Sequence, residues 1–273
     1  MKKMITTLLL IGITTNAFGS LSEQQEPTQS GQTESNSKIR AKIEVILLAN
    51  PINFQQASLS LIAAAKNNQI SGVIIIIDSG GGPTGSFSVL HDLIKKVSTI
   101  KPVIALVAGC ACSCGYMIAS AANYIFAHSF SDIGNIGVMI EIAKYQDAKI
   151  TGSVEAKMNV ELFTTGKFKA IFNPYKALSD EDRAYIQKML ENDYQHFIAL
   201  VAKNRNLNQD EYEKWADAKN FSAPEALQLG LIDEIGTIFE VESKMLELVR
   251  ERNPGCLFDD EITTNLFPAC TSA

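Results

Sequence analysis

One apolar run limits the fold of this chain more than any other feature. Residues Gly72–Ile77 read GVIIII, with no polar side chain in the run. A strand with one face in water alternates apolar and polar residues, whereas an unbroken β-branched run is typical of a parallel strand that is buried on both faces. The run therefore predicts an α/β fold in which helices cover a mostly parallel sheet.

The segments around this run predict repeated β-α units. Apolar residues alternate over Lys42–Ala49, which indicates a strand, and recur at helical spacing over 53–68. A third strand is predicted at 103–108, and a helix should begin near Ser113. The turn at 78–85 leads into another helix, whose apolar face is formed by Leu90, Leu93, Ile94 and Val97. Strands and helices that alternate in such short steps imply right-handed crossovers onto one sheet.

The second half of the chain is predicted to be mainly helical. Ser179, followed by three acidic residues, is an N-cap signature for a long amphipathic helix that ends near Lys203. Ser222 opens another helix, and a last helix ends near Arg252. We therefore expect the folded domain to span residues 39–252, with 253–273 as a C-terminal tail outside the core.

The N-terminus is typical of an export signal. Two lysines precede the apolar run Met4–Phe18, and small residues allow cleavage after Gly19. The alternative is a short uncleaved anchor, although a bilayer-spanning helix needs about 20 residues. Residues 20–38 are rich in Gln, Ser, Glu and Thr and are predicted to form a disordered linker. These features predict an exported protein, either periplasmic or attached to the outer face of the inner membrane.

Charge and cysteine content narrow the classes of function. The net charge is -6 and no long Lys/Arg block occurs, so nucleic-acid binding is not predicted. Five cysteines leave at least one without an intrachain partner, and in an oxidising compartment Cys256 and Cys270 either pair or stay free. Cys110, Cys112 and Cys114 alternate along the chain, but no C-x-x-C pair or nearby histidine completes a zinc set. No metal or cofactor is predicted.

Two segments carry the candidate chemistry. The first, DSGGG at 78–82, follows the isoleucine run, and its glycines allow backbone N–H groups to face a ligand. The second, GCACSCGY at 109–116, places Ser113 at a strand-to-helix turn, where a helix N-terminus favours a developing negative charge. Taken alone, the first is more often a plain turn and the second an ordinary N-cap.

Together these segments resemble the signal peptide peptidase A family of serine peptidases. The runs IIIIDSGGGPTGSF and KPVIALVAGCACSCGYMIASAANYIFAHSFSDIGNIGV are similar to the family's motifs, and so are TTGKFKAIFNPY and ADAKNFSAPEALQLGLIDEIG. The resemblance extends from Lys42 to roughly Met245. It implies the Clp-protease/crotonase type of fold, with peptide or unfolded-protein substrates, including signal peptides and membrane-protein fragments. It also implies a homo-oligomeric ring or dome, in which neighbouring subunits supply the catalytic serine and lysine.

The resemblance assigns the site residues one by one. Ser113 takes the place of the family's nucleophile, and Lys169, in GKFK at 166–169, takes the place of the lysine general base, with Lys167 as a nearby decoy. The serine would attack the peptide carbonyl and form an acyl-enzyme. A free lysine has a pKa of about 10.4, so it needs burial to act as a base. Apolar neighbours are expected to supply that burial: Phe163, Phe168, Ile171 and Phe172.

The oxyanion hole is expected to use backbone amides of Gly81 or Gly82 and of Cys114. Three positions depart from the family pattern: Gly80 replaces a proline, Cys114 replaces a glycine, and Asn135 replaces a serine that helps to hold the lysine. An asparagine carbonyl can still accept a hydrogen bond from lysine. These departures leave a second hypothesis open, an inactive or weakened scaffold or binding protein that retains the peptidase fold.

Other enzyme classes fit less well. A Ser-His-Asp peptidase of the Clp type needs a histidine, and the chain has only His91, His128 and His196. His128 follows Ser113 by 15 residues, at a position interpreted as structural or surface. An acyl-CoA hydratase-like enzyme would use the glycine-loop amides without Ser113 or Lys169, but export argues against a cytosolic cofactor substrate. A catalytic cysteine in place of Ser113 lacks the register of the nucleophile.

Overall fold

The isoleucine run lies in the middle of the sheet, as the sequence predicts. The computed structural model describes residues 39–144, 161–255 and 258–264. The N-terminal signal and linker, as well as Cys256 and Cys270, lie outside these residues. The described strands are β1 Ile39–Ala49, β2 Ile70–Ser79, β3 Val103–Cys112, β4 Tyr124–Ala127, β5 Asp132–Gly134, β6 Asn220–Ser222, β7 Glu234–Ile235 and β8 Phe258–Thr264. The described α-helices are α1 Phe54–Lys66, α2 Thr84–Ile100, α3 Cys114–Ala119, α4 Asp180–Arg205, α5 Tyr212–Trp215, α6 Ala223–Gln228 and α7 Ile238–Arg252.

The sheet is mostly parallel. Its order is β6-β5-β3-β2-β1-β8, with β4 beside β3 and β7 beside β4. Strand β3 pairs with β4 along one half of its length and with β5 along the other, and β5 with β6 is the antiparallel pair. Because β2, β3 and β5 run in the same direction, their carboxyl ends meet at one edge, which is where ligands bind in open α/β sheets. This edge carries the glycine loop and Ser113.

Helices cover both faces of the sheet, which explains the unbroken isoleucine run. Ile75 and Ile77 belong to the core on the side of α1, α2 and α4. Ile74 instead belongs to the core on the opposite side, where it meets Met245 of α7. All three isoleucines are fully buried, so a polar residue at any of them would lose its hydration. The Clp-protease-like α/β fold predicted from the sequence is therefore observed.

The chain beyond Pro254 departs from the sequence-based expectation. Strand β8 pairs in parallel with β1, at the edge of the sheet. Phe258 is only 9% exposed and belongs to the core on the α7 side, with Ile262 packed against it. The acidic residues 259–261 hide this strand in the sequence, because β propensity is low for Asp and Glu. The placement of residues 253–273 outside the core is thus wrong for 258–264.

A charged pair fixes the end of α4 against the sheet. Arg205 donates two hydrogen bonds to the Asp233 carboxylate, at 2.8 and 3.0 Å, and a third to the Gly230 carbonyl. Asp233 also accepts a hydrogen bond from the Ile125 amide in β4.

Among the described helices, none is long and apolar enough to cross a membrane.

Candidate active site

Ser113 occupies a strained turn at the carboxyl end of β3. Its φ of 52° and ψ of −129° lie in a region that non-glycine residues rarely adopt. Two sets of hydrogen bonds hold this conformation: the Ser113 N–H donates to the Gly134 carbonyl, and the Ser113 carbonyl accepts from Tyr116 and Met117. Strain of this kind costs about 1–3 kcal/mol and persists where the surrounding structure enforces it, often at functional sites. A serine on a sharp strand-to-helix turn is also how hydrolases expose a nucleophile.

The glycine loop lies against this turn. Gly81 has a φ of +101°, and a Cβ atom on it would be 2.8 Å from the Ser113 Cβ and 3.0 Å from the Cys114 amide nitrogen. No side chain other than hydrogen fits that space. Gly80 differs, because a Cβ there would meet nothing within 4 Å. Position 80 therefore has room for a side chain, whereas Gly81 is required for the close contact with the Ser113 turn.

The backbone amides near Ser113 have different partners. The Gly81 N–H donates to Ser79 Oγ at 3.2 Å, and Ser79 Oγ in turn donates to Asn50 Oδ1. The Gly82 amide faces the Cys114 sulfur. The Cys114 N–H belongs to the first turn of α3, where amides have no intrahelical acceptor. A thiol sulfur is only a weak acceptor, so the Gly82 amide is more easily released than the Gly81 amide, which the Ser79 hydroxyl holds. Gly82 and Cys114 are therefore the better candidates for an oxyanion hole. Helix α3 has only six residues, so these individual amides, rather than a helix dipole, would stabilise the negative charge of an oxyanion.

The three clustered cysteines are free thiols with raised pKa values. Burial raises the pKa of Cys112 to about 11 and also raises those of Cys110 and Cys114. A nucleophilic cysteine requires a lowered pKa, so these thiols suit packing rather than catalysis. The hydroxyl groups of Ser113 and Thr84 lie beside the Cys114 sulfur. No group of side chains in residues 39–144, 161–255 and 258–264 has the composition of a metal site.

Asn135 is held at the edge of the same pocket. Its N–H donates to the Lys219 carbonyl at 2.7 Å, and its side-chain Nδ2 donates to the Ala218 carbonyl at 3.2 Å. The φ of Asn135 is 48°, a conformation that asparagine tolerates better than most residues. Because Nδ2 is directed at Ala218, the side-chain carbonyl oxygen is available to accept from a cation such as lysine.

The structure does not bring the two predicted catalytic side chains together within one chain. Lys169 is exposed and does not line the pocket that contains Ser113. The expected burial by its aromatic neighbours is not present: Phe163 is 87% exposed, and Phe168 stacks on Tyr185 instead. Lys167, the other lysine of the GKFK segment, forms an ion pair with Glu181. Within the described residues, Lys169 thus lacks the burial that a lysine base needs.

The pocket around Ser113 has a volume of about 730 Å³. Its described lining residues are Gly80, Gly81, Gly82, Pro83, Thr84, Ser113, Cys114, Met117, Asn135, Gly137, Val138, Met139, Asp193, Phe197 and Ala218. Sequence reasoning missed Asp193, which lies one helical turn before Phe197 on α4 and shares its face. The i, i+4 spacing of Asp193 and Phe197 was the signal in the sequence that places them on one face of the helix. Sequence reasoning also missed Ser79, which directly precedes the glycines.

The histidines stay away from Ser113. His128 is exposed beside Phe130, and no histidine is among the described residues of the Ser113 pocket. His91 is buried in a neighbouring groove, where its Nδ1 lies 2.9 Å from Asp92 Oδ1. A Ser-His-Asp arrangement is therefore not assembled within the part of the chain that the structure describes.

Comparison with known proteins agrees with this geometry. The family model of peptidase family S49 matches residues 95–251, which is more than half of the chain. The chain belongs to peptidase family S49. The Clp protease model also matches, over residues 30–133. The predicted family and its Clp-protease type of fold are thereby confirmed.

Several relatives of this S49 chain carry protease names. A protease-named protein of Methanocaldococcus jannaschii is 31% identical over 69% of this chain and 60% of its own length. Protease 4 of Haemophilus influenzae is 29% identical over 72% of this chain but only 31% of its own length. The chloroplastic serine protease SPPA of Arabidopsis thaliana is 30% identical over 63% of this chain. The chain thus spans less than two thirds of the first two relatives.

Proposed function

We propose that this S49 chain is the peptidase unit of a serine endopeptidase in which Ser113 is the nucleophile and Lys169 the general base. The observation that carries the proposal is the strained Ser113 turn, packed directly against Gly81 of the glycine loop. Among the described residues that line the Ser113 pocket, no other residue with a hydroxyl group has such a strained backbone conformation beside amides that lack an acceptor within a helix. The protease names of the relatives do not favour the inactive-scaffold alternative.

The reaction would proceed through an acyl-enzyme. Neutral Lys169 takes the proton of the Ser113 hydroxyl as Oγ forms a bond to the peptide carbonyl carbon. The Gly82 and Cys114 amides stabilise the resulting oxyanion. Collapse of this tetrahedral oxyanion intermediate breaks the peptide C–N bond, and the Lys169 ammonium gives its proton to the leaving amine. Water then attacks the ester with Lys169 as base, releasing the new carboxyl end and restoring the Ser113 hydroxyl.

The lysine is proposed to come from a neighbouring copy of the chain. Lys169 is exposed in the single chain, and the segment around it presents apolar side chains to solvent: Leu162, Phe163, Phe172 and Tyr175. Exposed apolar surface of this kind is typical of a protein–protein interface. Contact with a neighbour would bury Lys169, and burial lowers the pKa of a lysine toward the range of a useful base. Asn135 would accept a hydrogen bond from it. The Clp-type match and a phage relative named capsid assembly protease C are consistent with assembly.

The proposed substrates are signal peptides, membrane-protein fragments or unfolded peptides outside the cytoplasm. Support comes from the export signal in the sequence and from a relative named signal peptide peptidase SppA in Enterococcus faecium, which is 26% identical over 86% of this chain. The open glycine loop and a pocket of about 730 Å³ suit an extended peptide. Residues 1–19 would act as a cleaved signal or a short anchor, and 20–38 as a linker.

Covalent labelling with a fluorophosphonate tests the proposal. Wild-type protein should be labelled on Ser113, and Ser113→Ala should not be labelled. Lys169→Ala should lower the labelling rate by about 10²–10⁴, the usual contribution of a general base. Lys167→Ala is the matched control and should retain most of the rate. Equal labelling of wild type and Ser113→Ala would falsify the assignment of the nucleophile. Inactivity of Lys167→Ala alone would move the base to Lys167.

A further inference from the structure

A second cavity adjoins the Ser113 pocket. It is a groove of about 590 Å³ between α2 and α4, here called the α2–α4 groove. Four residues line both the groove and the Ser113 pocket: Thr84, Met117, Asp193 and Phe197. A peptide bound at Ser113 can therefore continue into the groove without leaving the protein surface. The groove wall is largely apolar near this junction, with Phe197 buried and Leu200 partly buried beside it.

Two lysines lie at the far end of the groove. Lys95 projects from α2 and Lys203 from α4. Neither forms an ion pair or a side-chain hydrogen bond with the residues that the structure describes. Partial burial and the positive charge of Lys203 together lower the pKa of Lys95. Two like charges facing one cavity without a carboxylate partner are unfavourable unless an anion joins them.

The acidic residues of the groove do not neutralise this lysine pair. The Asp92 carboxylate interacts with the ring of His91, at 2.9 Å from Nδ1. Asp193 lies at the opposite end, next to the Ser113 pocket. The remaining titratable groups that line the groove are His91, whose Nε2 lies 2.8 Å from Asn204 Nδ2, and His196. The two lysines outnumber Asp92, which lies one helical turn before Lys95 on α2, so the distal end keeps a net positive charge, whereas Asp193 makes the end beside Ser113 negative.

We propose that the α2–α4 groove binds the free C-terminal carboxylate of the peptide substrate, with Lys95 and Lys203 as its cationic ligands. From Phe197 to Lys203 the helix rises about 9 Å, which roughly three residues of an extended peptide would span. Apolar side chains of these residues pack on Met117 and Phe197, and Asp193 repels a carboxylate from the Ser113 end. The proposal rests on the proposed function and deepens it: the preferred substrate is a peptide whose free C-terminal end reaches the groove.

Binding to the full chain carrying Ser113→Ala tests the inference without cleavage. The probes are two fluorescent peptides of one sequence, one with a C-terminal carboxylate and one with a carboxamide, and the readout is fluorescence anisotropy. The carboxylate peptide should bind about 5- to 10-fold more tightly, because charge-assisted contacts with the partly buried Lys95 and the exposed Lys203 are lost on amidation. Adding Lys95→Gln or Lys203→Gln should reduce that difference to less than about 2-fold.

Matched controls separate this site from general surface charge. Lys96 follows Lys95 on α2, and Lys188 is exposed on α4, but neither lines the groove. Lys96→Gln and Lys188→Gln should keep the full preference for the carboxylate peptide. Equal binding of the two peptides, or no binding of either, overturns the proposal. So does an amidated peptide with a glutamate side chain that binds as tightly as the free carboxylate, since the groove would then recognise any acidic group.

The two proposals fail in different ways. If wild type is labelled on Ser113 while the carboxylate gives no advantage, the groove assignment is wrong and the peptidase assignment stands. If the carboxylate preference depends on Lys95 and Lys203 while Ser113 is never labelled, the chain binds peptide ends without being a serine peptidase.

Discussion

Among single residues, Gly81 is the position on which the strained Ser113 turn depends most directly. Its positive φ and its contact with the Ser113 Cβ mean that any side chain there displaces the turn, the glycine loop or both. The glycine loop is also held by Ser79, which is 1% exposed and whose hydroxyl donates a hydrogen bond to the Asn50 side chain. The site is thus built from a close backbone contact rather than from many side chains.

Gly81→Ala should therefore remove activity while leaving the fold in place. We expect the fluorophosphonate labelling rate to fall by about 10²-fold, comparable to loss of an oxyanion-hole donor. The free energy of unfolding should fall by about 1–3 kcal/mol because alanine is strained at this φ. Gly80→Ala is the matched control and should change neither quantity appreciably, because a Cβ there has open space. Similar labelling of the two variants would contradict the role given to Gly81.

At the scale of elements, the start of α4 holds the segment that carries Lys169. Ser179 and Asp182 form a capping box, in which each side chain accepts from the other's backbone N–H. Lys176, at the end of the lysine-bearing segment, donates to both oxygens of the Asp182 carboxylate at 2.9 and 3.0 Å. Hydrogen bonds from Lys176 and from the Ser179 amide lower the pKa of Asp182 to about 2. The carboxylate therefore couples helix capping to the position of the lysine-bearing segment.

Ser179→Ala should lower the free energy of unfolding by about 1 kcal/mol, the usual value for an N-cap serine. The contribution of Asp182 should depend on pH in a defined direction. Because its folded-state pKa is lowered from 3.8 to about 2, its stabilisation is present above pH 4 and is lost as the pH falls toward 2. Urea unfolding of wild type and Asp182→Asn at pH 7, 4 and 3 should show a difference that shrinks with falling pH.

At the scale of the whole molecule, the separation of Ser113 and Lys169 predicts complementation between inactive chains. Ser113→Ala and Lys169→Ala should each be inactive alone. When they are co-expressed, random assembly should restore about one quarter of wild-type activity, because a quarter of the interfaces then pair an intact serine with an intact lysine. The control is a mixture of wild type with the Ser113→Ala/Lys169→Ala double variant. It measures how much activity is lost when inactive chains break up the interfaces between intact chains. No activity in the first mixture would place both groups in one chain.

The fold was largely predictable because its signals are local. The isoleucine run, the strand at Lys42–Ala49 and the N-cap at Ser179 each depend on residue types and spacing within a short window. Strand β8 was not predictable from the sequence, because its acidic residues have a low intrinsic β propensity. These residues form a strand only through their pairing with β1.

The parallel sheet, the glycine loop, the family resemblance and the candidate nucleophile were all accessible from the amino-acid sequence. These depend on periodicity and on motifs that are contiguous in the chain. The three-dimensional arrangement was needed to show that Gly81 contacts the Ser113 turn, that Lys169 is exposed in the single chain, and that Lys95 and Lys203 line a groove adjoining the Ser113 pocket. The physical reason is that backbone strain, burial and charge balance arise between residues far apart in sequence, which pattern and propensity do not encode.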